Sequence, residues 1–165
     1  MAQNPLSSAS DYSLLRFEQL SVHQLYQILK LRSDVFVVEQ NCVYPDLDDK
    51  DTAPDALHVF SQSDETCAQH KITAYARCLA PGVSYQGCSI GRVVVAPEQR
   101  GMGYAKALML AAIKACQQQW PNYPIEIGAQ LYLQDFYASL GFVVFSDAYD
   151  EDGIMHIDMR LDQVI

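Results

Sequence analysis

The chain has 165 residues, half of them apolar, enough for one hydrophobic core and too apolar for a disordered chain. With 20 acidic residues against 11 basic ones its net charge is −9, which repels nucleic acid and anionic membranes and attracts cations. Five scattered cysteines without a CxxC pair argue against a disulfide framework or zinc knuckle and for reduced thiols in a cytoplasmic protein, and no apolar run reaches the roughly 20 residues of a membrane helix.

Residues 1–10 have neither a basic nor an apolar signal region and read as a flexible leader before a single domain over 11–165. "YSLLRFEQL" reads as a first strand. Ser21 has the character of an N-cap, and Val22, Leu25, Tyr26, Ile28 and Leu29 follow at helical spacing. The β-branched residues of 35–38 weaken the case for one continuous helix. "NCVYPDLDDKDTAPDA" is a loop by composition. Its aspartates, Asp46, Asp48, Asp49, Asp51 and Asp55, read as a solvated acidic face; a cation-seeking acceptor pocket is the alternative, and calcium spacing is not kept. "LHVFSQ" and "HKITAYARCLA" read as strands joined by the polar turn "SDETCAQ".

"CSIGRVVVA" is the next strand, and from Gly103 onward Ala105, Leu108, Met109, Ala112, Ile113 and Cys116 share one helical face. "IEIGAQ" is a short strand, "LYLQDFYASL" a short helix with Gly141 beyond its end, and "FVVFSDAY" and "IMHIDMRL" flank "DEDG" as a hairpin. This order predicts a mixed α+β (α/β) domain with a largely antiparallel sheet.

Between strand and helix stands "APEQRGMGYA". A Walker loop needs lysine followed by serine or threonine after its last glycine, and Gly103 is followed by Tyr104, Ala105, Lys106 and Ala107. A dinucleotide fingerprint beginning at Gly101 needs glycine where Lys106 stands. What remains is R-x-x-G-x-A, met by Arg100, Gly103 and Ala105. Small residues there let main-chain amides at a helix N-terminus approach an anion, and the helix dipole adds the positive potential that an acidic protein lacks.

With "FYASLGF" about thirty residues on, a Y-x-x-x-G-F pattern, the sequence resembles the GCN5-related N-acetyltransferase (GNAT) superfamily over nearly the whole chain. "RSDVFVVEQNCVYPDLD", "IGRVVV", "GAQ" and "DEDGIMHI" are similar to its ElaA-like bacterial branch. The resemblance implies a twisted, splayed sheet of about seven strands flanked by about four helices, with acetyl-coenzyme A as co-substrate and no metal. It assigns the pyrophosphate to the amides of Arg100, Gly101, Met102, Gly103, Tyr104 and Ala105, and the pantetheine arm to main-chain groups of Val93 and Val95. Gln130 stands where the family often has asparagine, and Tyr137 matches the tyrosine that meets the departing thiolate. The implied activity is direct N-acetylation of an amine-bearing acceptor; an acyl-coenzyme A-binding sensor of the same fold is the alternative. A homodimer is left open.

An alkylamine of pKa about 10.4 must lose a proton, which costs about 4.6 kcal/mol at neutral pH. Four residues have chemistry for that base: Glu39, Glu126, His58 and His156. Glu39 is preferred, since it follows an apolar run where the family places its acceptor-side helices.

Overall fold

The computed structural model describes residues 12–62 and 71–163; the expected leader and the turn at 63–69 lie outside them. Strand β1 (Tyr12–Arg16) leads through a 3-10 turn (Phe17–Gln19) into helix α1 (Val22–Arg32). Ser21 caps that helix: its hydroxyl accepts from the Gln24 amide at 3.1 Å while Gln24 Oε1 accepts from the Ser21 amide at 2.9 Å. The helix then widens into a π-helical segment (Ser33–Glu39), closed by a bond from the Gln40 amide to the Val35 carbonyl at 3.0 Å. The valine-rich stretch therefore stays helical, but with a wider turn.

Strands β2 (Leu57–Gln62), β3 (Ile72–Leu79) and β4 (Cys88–Val95) follow, then helix α2 (Tyr104–Gln119), β5 (Ile125–Gln130) and the short helix α3 (Gln134–Ala138). The chain ends in β6 (Val143–Val144), β7 (Tyr149–Glu151) and β8 (Ile154–Leu161). "FVVFSDAY" is thus two short strands, while Asp152 and Gly153, at φ 52° and 86°, make the tight turn into β8. Among the described residues there are eight strands and three α-helices, against the expected seven and four. The extra strand comes from that split, and the missing helix is the run after α1, which the π-segment absorbs.

The strands form one open sheet in the order β1-β2-β3-β4-β5-β8-β6, with β7 also on β8. Its described pairs are antiparallel except β4–β5. Alternation along the strands divides the core. Leu57, Val59, Ala74, Ala76, Cys78, Ile127 and Ala129 pack against α2 with Leu108, Met109 and Ala112, while Phe60, Tyr75 and Val94 pack against α1 with Ile28 and Leu31. No helix among the described residues is long and apolar enough to cross a membrane.

Two irregularities of β4 shape the site. Its register with β3 passes from Tyr75↔Val94 to Arg77↔Gly91, one extra residue on β4, and Arg92 there adopts φ 53°. On its other edge β4 pairs with β5 only at Cys88↔Ile125 and Ser89↔Glu126. Beyond Ser89 the two strands diverge, and residues 90–95 lack a ladder on that side.

Candidate active site

At the open end of this splay β4 runs through a 3-10 turn (Pro97–Gln99) into α2. Gly101 and Gly103 hold φ 75° and 84°, a left-handed conformation that side chains with a Cβ resist. Gly103 is the N-cap of α2 and provides no side-chain cap; the first helical bond found is from Ala107 to the Gly103 carbonyl at 3.1 Å. The amides of Tyr104, Ala105 and Lys106 therefore have no acceptor within the helix. Those of Gly101, Met102 and Gly103 have no main-chain acceptor among the described residues either. A row of unbonded N–H groups, on the positive end of a 16-residue helix, faces the mouth of the cleft. This is the chemistry a diphosphate requires, so the residues fit acetyl-coenzyme A.

Arg100 stands beside that row. Its Nη1 and Nη2 donate to Glu39 Oε1 and Oε2 at 2.6 and 3.0 Å, and its Nε donates to the Val95 carbonyl at 3.2 Å. The π-segment delivers Glu39 to this position. Hydrogen bonding to Arg100 holds the Glu39 carboxyl below its ordinary pKa, which makes it a weaker base than the sequence suggests. Any pantetheine contact at Val95 shares its carbonyl with Arg100, whereas Val93 sits half-buried on the unladdered edge. The side chain of Gln130, at the end of β5, bridges to Gln40 across the cleft mouth at 3.3 Å.

Tyr137 on α3 is buried, with Phe136 and Phe142 edge-on to its ring at 5.1 and 6.1 Å. Burial raises its pKa to about 12. Its hydroxyl has no hydrogen-bond partner among the described residues.

The other proposed bases are separated by position. His58 is 1% exposed under α1, with Nδ1 at 2.8 Å from the Tyr75 hydroxyl and Nε2 at 3.1 Å from the Asp51 carbonyl, so both nitrogens are occupied. Glu126 lies at the closed end of the splay, where Oε2 accepts from the Gly87 amide at 2.7 Å. His156 faces Gln130 in the β5–β8 register, at the open end. Its Nδ1 lies 2.8 Å from the Ile154 carbonyl and must donate, so the tautomer assigned by that bond leaves Nε2 as the basic nitrogen. The Glu151 carboxylate stands 3.5 Å from Nε2.

The acidic loop corrects the reading of a solvated face. Asp46, Asp48 and Asp51 alternate with Arg32, Arg77 and Arg92 in a closed ring of charges. Arg32 meets Asp46 at 3.0 Å and Asp51 at 2.7 Å, and Arg77 meets Asp51 at 2.9 Å and Asp48 at 2.7 Å. Arg92 closes the ring to Asp46 at 2.8 Å, near in distance though not aligned as a hydrogen bond from Nε, and to Asp48 at 3.4 Å. Arg32 and Arg77 are 0% and 3% exposed. These three carboxylates serve buried arginines, and only Asp49 and Asp55 keep the exposed character expected. Sequence reasoning missed the ring, although three arginines inside apolar runs were a signal that acidic partners had to be found. It also missed Tyr85, Tyr149 and Asp158, whose joint position depends on strand register.

Comparison with known proteins identifies the family. A family model described as an acetyltransferase (GNAT) domain matches residues 54–163. Protein ElaA of Escherichia coli (strain K12) is 41% identical over 145 residues, 88% of this chain and 92% of that one. A UPF0039 protein of Schizosaccharomyces pombe is 42% identical over 147 residues, 88% of this chain and 93% of its own. Among solved structures, an acyl-CoA N-acyltransferase from Pseudomonas aeruginosa superposes with a TM-score of 0.85 at 36% identity, covering 92% of this chain and 99% of that chain. The crystal structure of E. coli ElaA does so with a TM-score of 0.83 at 40% identity and the same coverage. The chain belongs to the GNAT acetyltransferase family. Within it, the relatives place the chain in the ElaA-like branch.

Proposed function

We propose that the protein transfers the acetyl group of acetyl-coenzyme A directly to a primary amine. The observation that carries this reading is the uncapped, glycine-led start of α2 at the mouth of the β4–β5 splay. The coenzyme supplies a thioester, an activated acyl group with a good leaving thiolate. The amides of 101–105, with Arg100 beside them, would hold its diphosphate, and the free edge of β4 around Val93 and Val95 its pantetheine arm. Tyr137 donates a hydrogen bond to the sulfur as the C–S bond breaks and the electron pair moves there. His156 Nε2 takes the proton that the amine loses as the new C–N bond forms. Gln130 and Gln40 border the place where amine and thioester meet. Glu39, preferred from sequence, instead sets the orientation of Arg100. Most of the rate gain comes from holding the two reactants together, with the base next.

Calorimetric titration with acetyl-coenzyme A and free-thiol release across an amine panel test this directly. Gly103→Glu puts a Cβ on a left-handed residue and a negative charge beside the diphosphate, so coenzyme binding should be lost. His156→Gln should keep binding and lower turnover by about 10²–10⁴-fold. Wild-type affinity in the first variant would remove the loop from the site, and wild-type turnover in the second would remove the base.

A further inference from the structure

Among the described residues, the half of the α1-side sheet face formed by β5 and β8 carries no α-helix. α1 packs on β3 and β4, while β5 and β8 turn Glu126, Gly128, Gln130, His156, Asp158 and Arg160 to the same side. Gly128 lies in an interior strand yet is exposed, so it forms the floor of an open cleft. A Cβ built on it would come within 3.0 Å of the Tyr85 hydroxyl, 3.1 Å of the Tyr149 hydroxyl and 3.6 Å of Asp158 Oδ1. Three oxygens from the loop before β4, from β7 and from β8 converge over one glycine.

Their protons are already committed. Tyr85 and Tyr149 both donate to the same atom, Asp158 Oδ1, at 3.0 and 2.8 Å. A phenol has one proton to give, so what it still offers is lone pairs, and Asp158 Oδ2 has no hydrogen bond among the described residues. Burial and the Asp158 charge push both phenols above their ordinary pKa, which keeps them protonated and the arrangement fixed. The cluster therefore accepts hydrogen bonds, carries negative charge, and suits an N–H-bearing cation while rejecting a carboxylate or phosphate.

We propose that Tyr85, Asp158 and Tyr149 bind a protonated nitrogen of the acceptor, and that the acceptor is dibasic, with one nitrogen held here and another acetylated. This rests on the acetyl-transfer reading above. Anionic oxygens favour the charged form of an amine, and a charged amine has no lone pair for attack, so the nitrogen in this cradle is not the nucleophile. The reacting nitrogen belongs beside His156, two residues along the same face of β8 and so about 6–7 Å away. His156 stacks on Tyr149 at 6.0 Å between ring centroids, which ties the two positions together. Past Tyr85 the cleft continues as an open groove of about 600 Å³ lined by Ser84, Glu126, Phe145 and Arg160. Glu126 adds a second carboxylate to it, and Arg160 is paired with Asp162 at 3.0 Å.

The test compares tetramethylenediamine with butylamine, acetyl-coenzyme A being the donor and free thiol the readout. Wild-type protein should prefer the diamine in kcat/KM by roughly tenfold to a hundredfold, mostly through KM, and in Asp158→Asn that ratio should collapse toward one. Titration of the diamine into protein loaded with coenzyme A should show the same loss of affinity without any turnover. Should Asp158→Asn fail to fold, Tyr85→Phe keeps the ring and removes one oxygen, and should lower the ratio in the same direction. Equal use of both amines by wild-type protein, or an unchanged ratio in both variants, overturns the cradle and leaves acetyl transfer standing. Coenzyme binding with no thiol release from any amine overturns acetyl transfer, and the titration then decides the cradle by itself.

Discussion

A phenol whose pKa is about 12 does not hand its proton to a thiolate. Against a thiol near 8.5 the full transfer is uphill by about 3.5 units, close to 5 kcal/mol. In the proposed transfer Tyr137 therefore would stabilise the leaving sulfur as a hydrogen-bond donor, and the sulfur would collect its proton later from water. Tyr137→Phe keeps the ring that packs on Phe136 and Phe142 and removes only the donor. Turnover should fall about tenfold to a hundredfold, the worth of one hydrogen bond to a charged group, with acetyl-coenzyme A affinity unchanged. The fall should also be uniform from pH 6 to 9, because a group titrating at about 12 has no limb there. A rate loss that shrank as pH rose from 6 to 9 would instead make Tyr137 an acid titrating within that range.

At the scale of elements, the ring of three arginines and three aspartates pins the loop between the π-segment and β2 onto the α1 face of the sheet. Asp51 is a buried joint bonded to Arg32 and Arg77 together. Asp51→Asn removes one charge and leaves two buried guanidinium groups short of compensation. Stability in urea should drop by about 3–5 kcal/mol; a loss under about 1 kcal/mol would mean the arginines find water or other partners. The ring also marks where sequence reading stops. Elements set by local chemistry were legible: the Ser21 cap, the β5 run, and the Asp152–Gly153 turn all follow from residues within four positions of one another. The phosphate-type loop was legible for the same reason, since glycine conformation and helix polarity act locally. The π-segment was half legible, because crowded valines signal strain in a helix without saying that it widens. The Asp46–Arg92 and Tyr85–Asp158 contacts join residues 46 and 73 positions apart, and no periodicity encodes them. They depend on β-sheet register and on the extra residue in β4.

Taken as a whole molecule, the protein should weaken in two steps as it is acidified, although its net charge of −9 means that the first protons relieve repulsion. His58 governs the first step. Burial lowers its pKa, and its neutral form is the bonded one: Nε2–H donates to the Asp51 carbonyl and Nδ1 accepts from Tyr75. The unfolded chain therefore binds a proton at this residue that the folded chain refuses, and stability falls as pH drops below about 6.5 toward the folded value. The carboxylates follow. Burial acts to raise Asp48 and Asp51, but Arg77 and Arg32 outweigh it and hold both below the ordinary range. Their contribution is complete above a pH of about 4 and is lost as pH falls below it. His58→Gln can keep both hydrogen bonds, its amide donating to Asp51 and its carbonyl accepting from Tyr75, without a titrating group. Urea midpoints measured from pH 8 to 3 should then run parallel to wild type well above about 6.5 and be flatter for the variant as pH falls below it. Parallel curves throughout would show that His58 charges in the folded protein as readily as in the unfolded one, and that its place between Tyr75 and Asp51 exerts no proton selectivity.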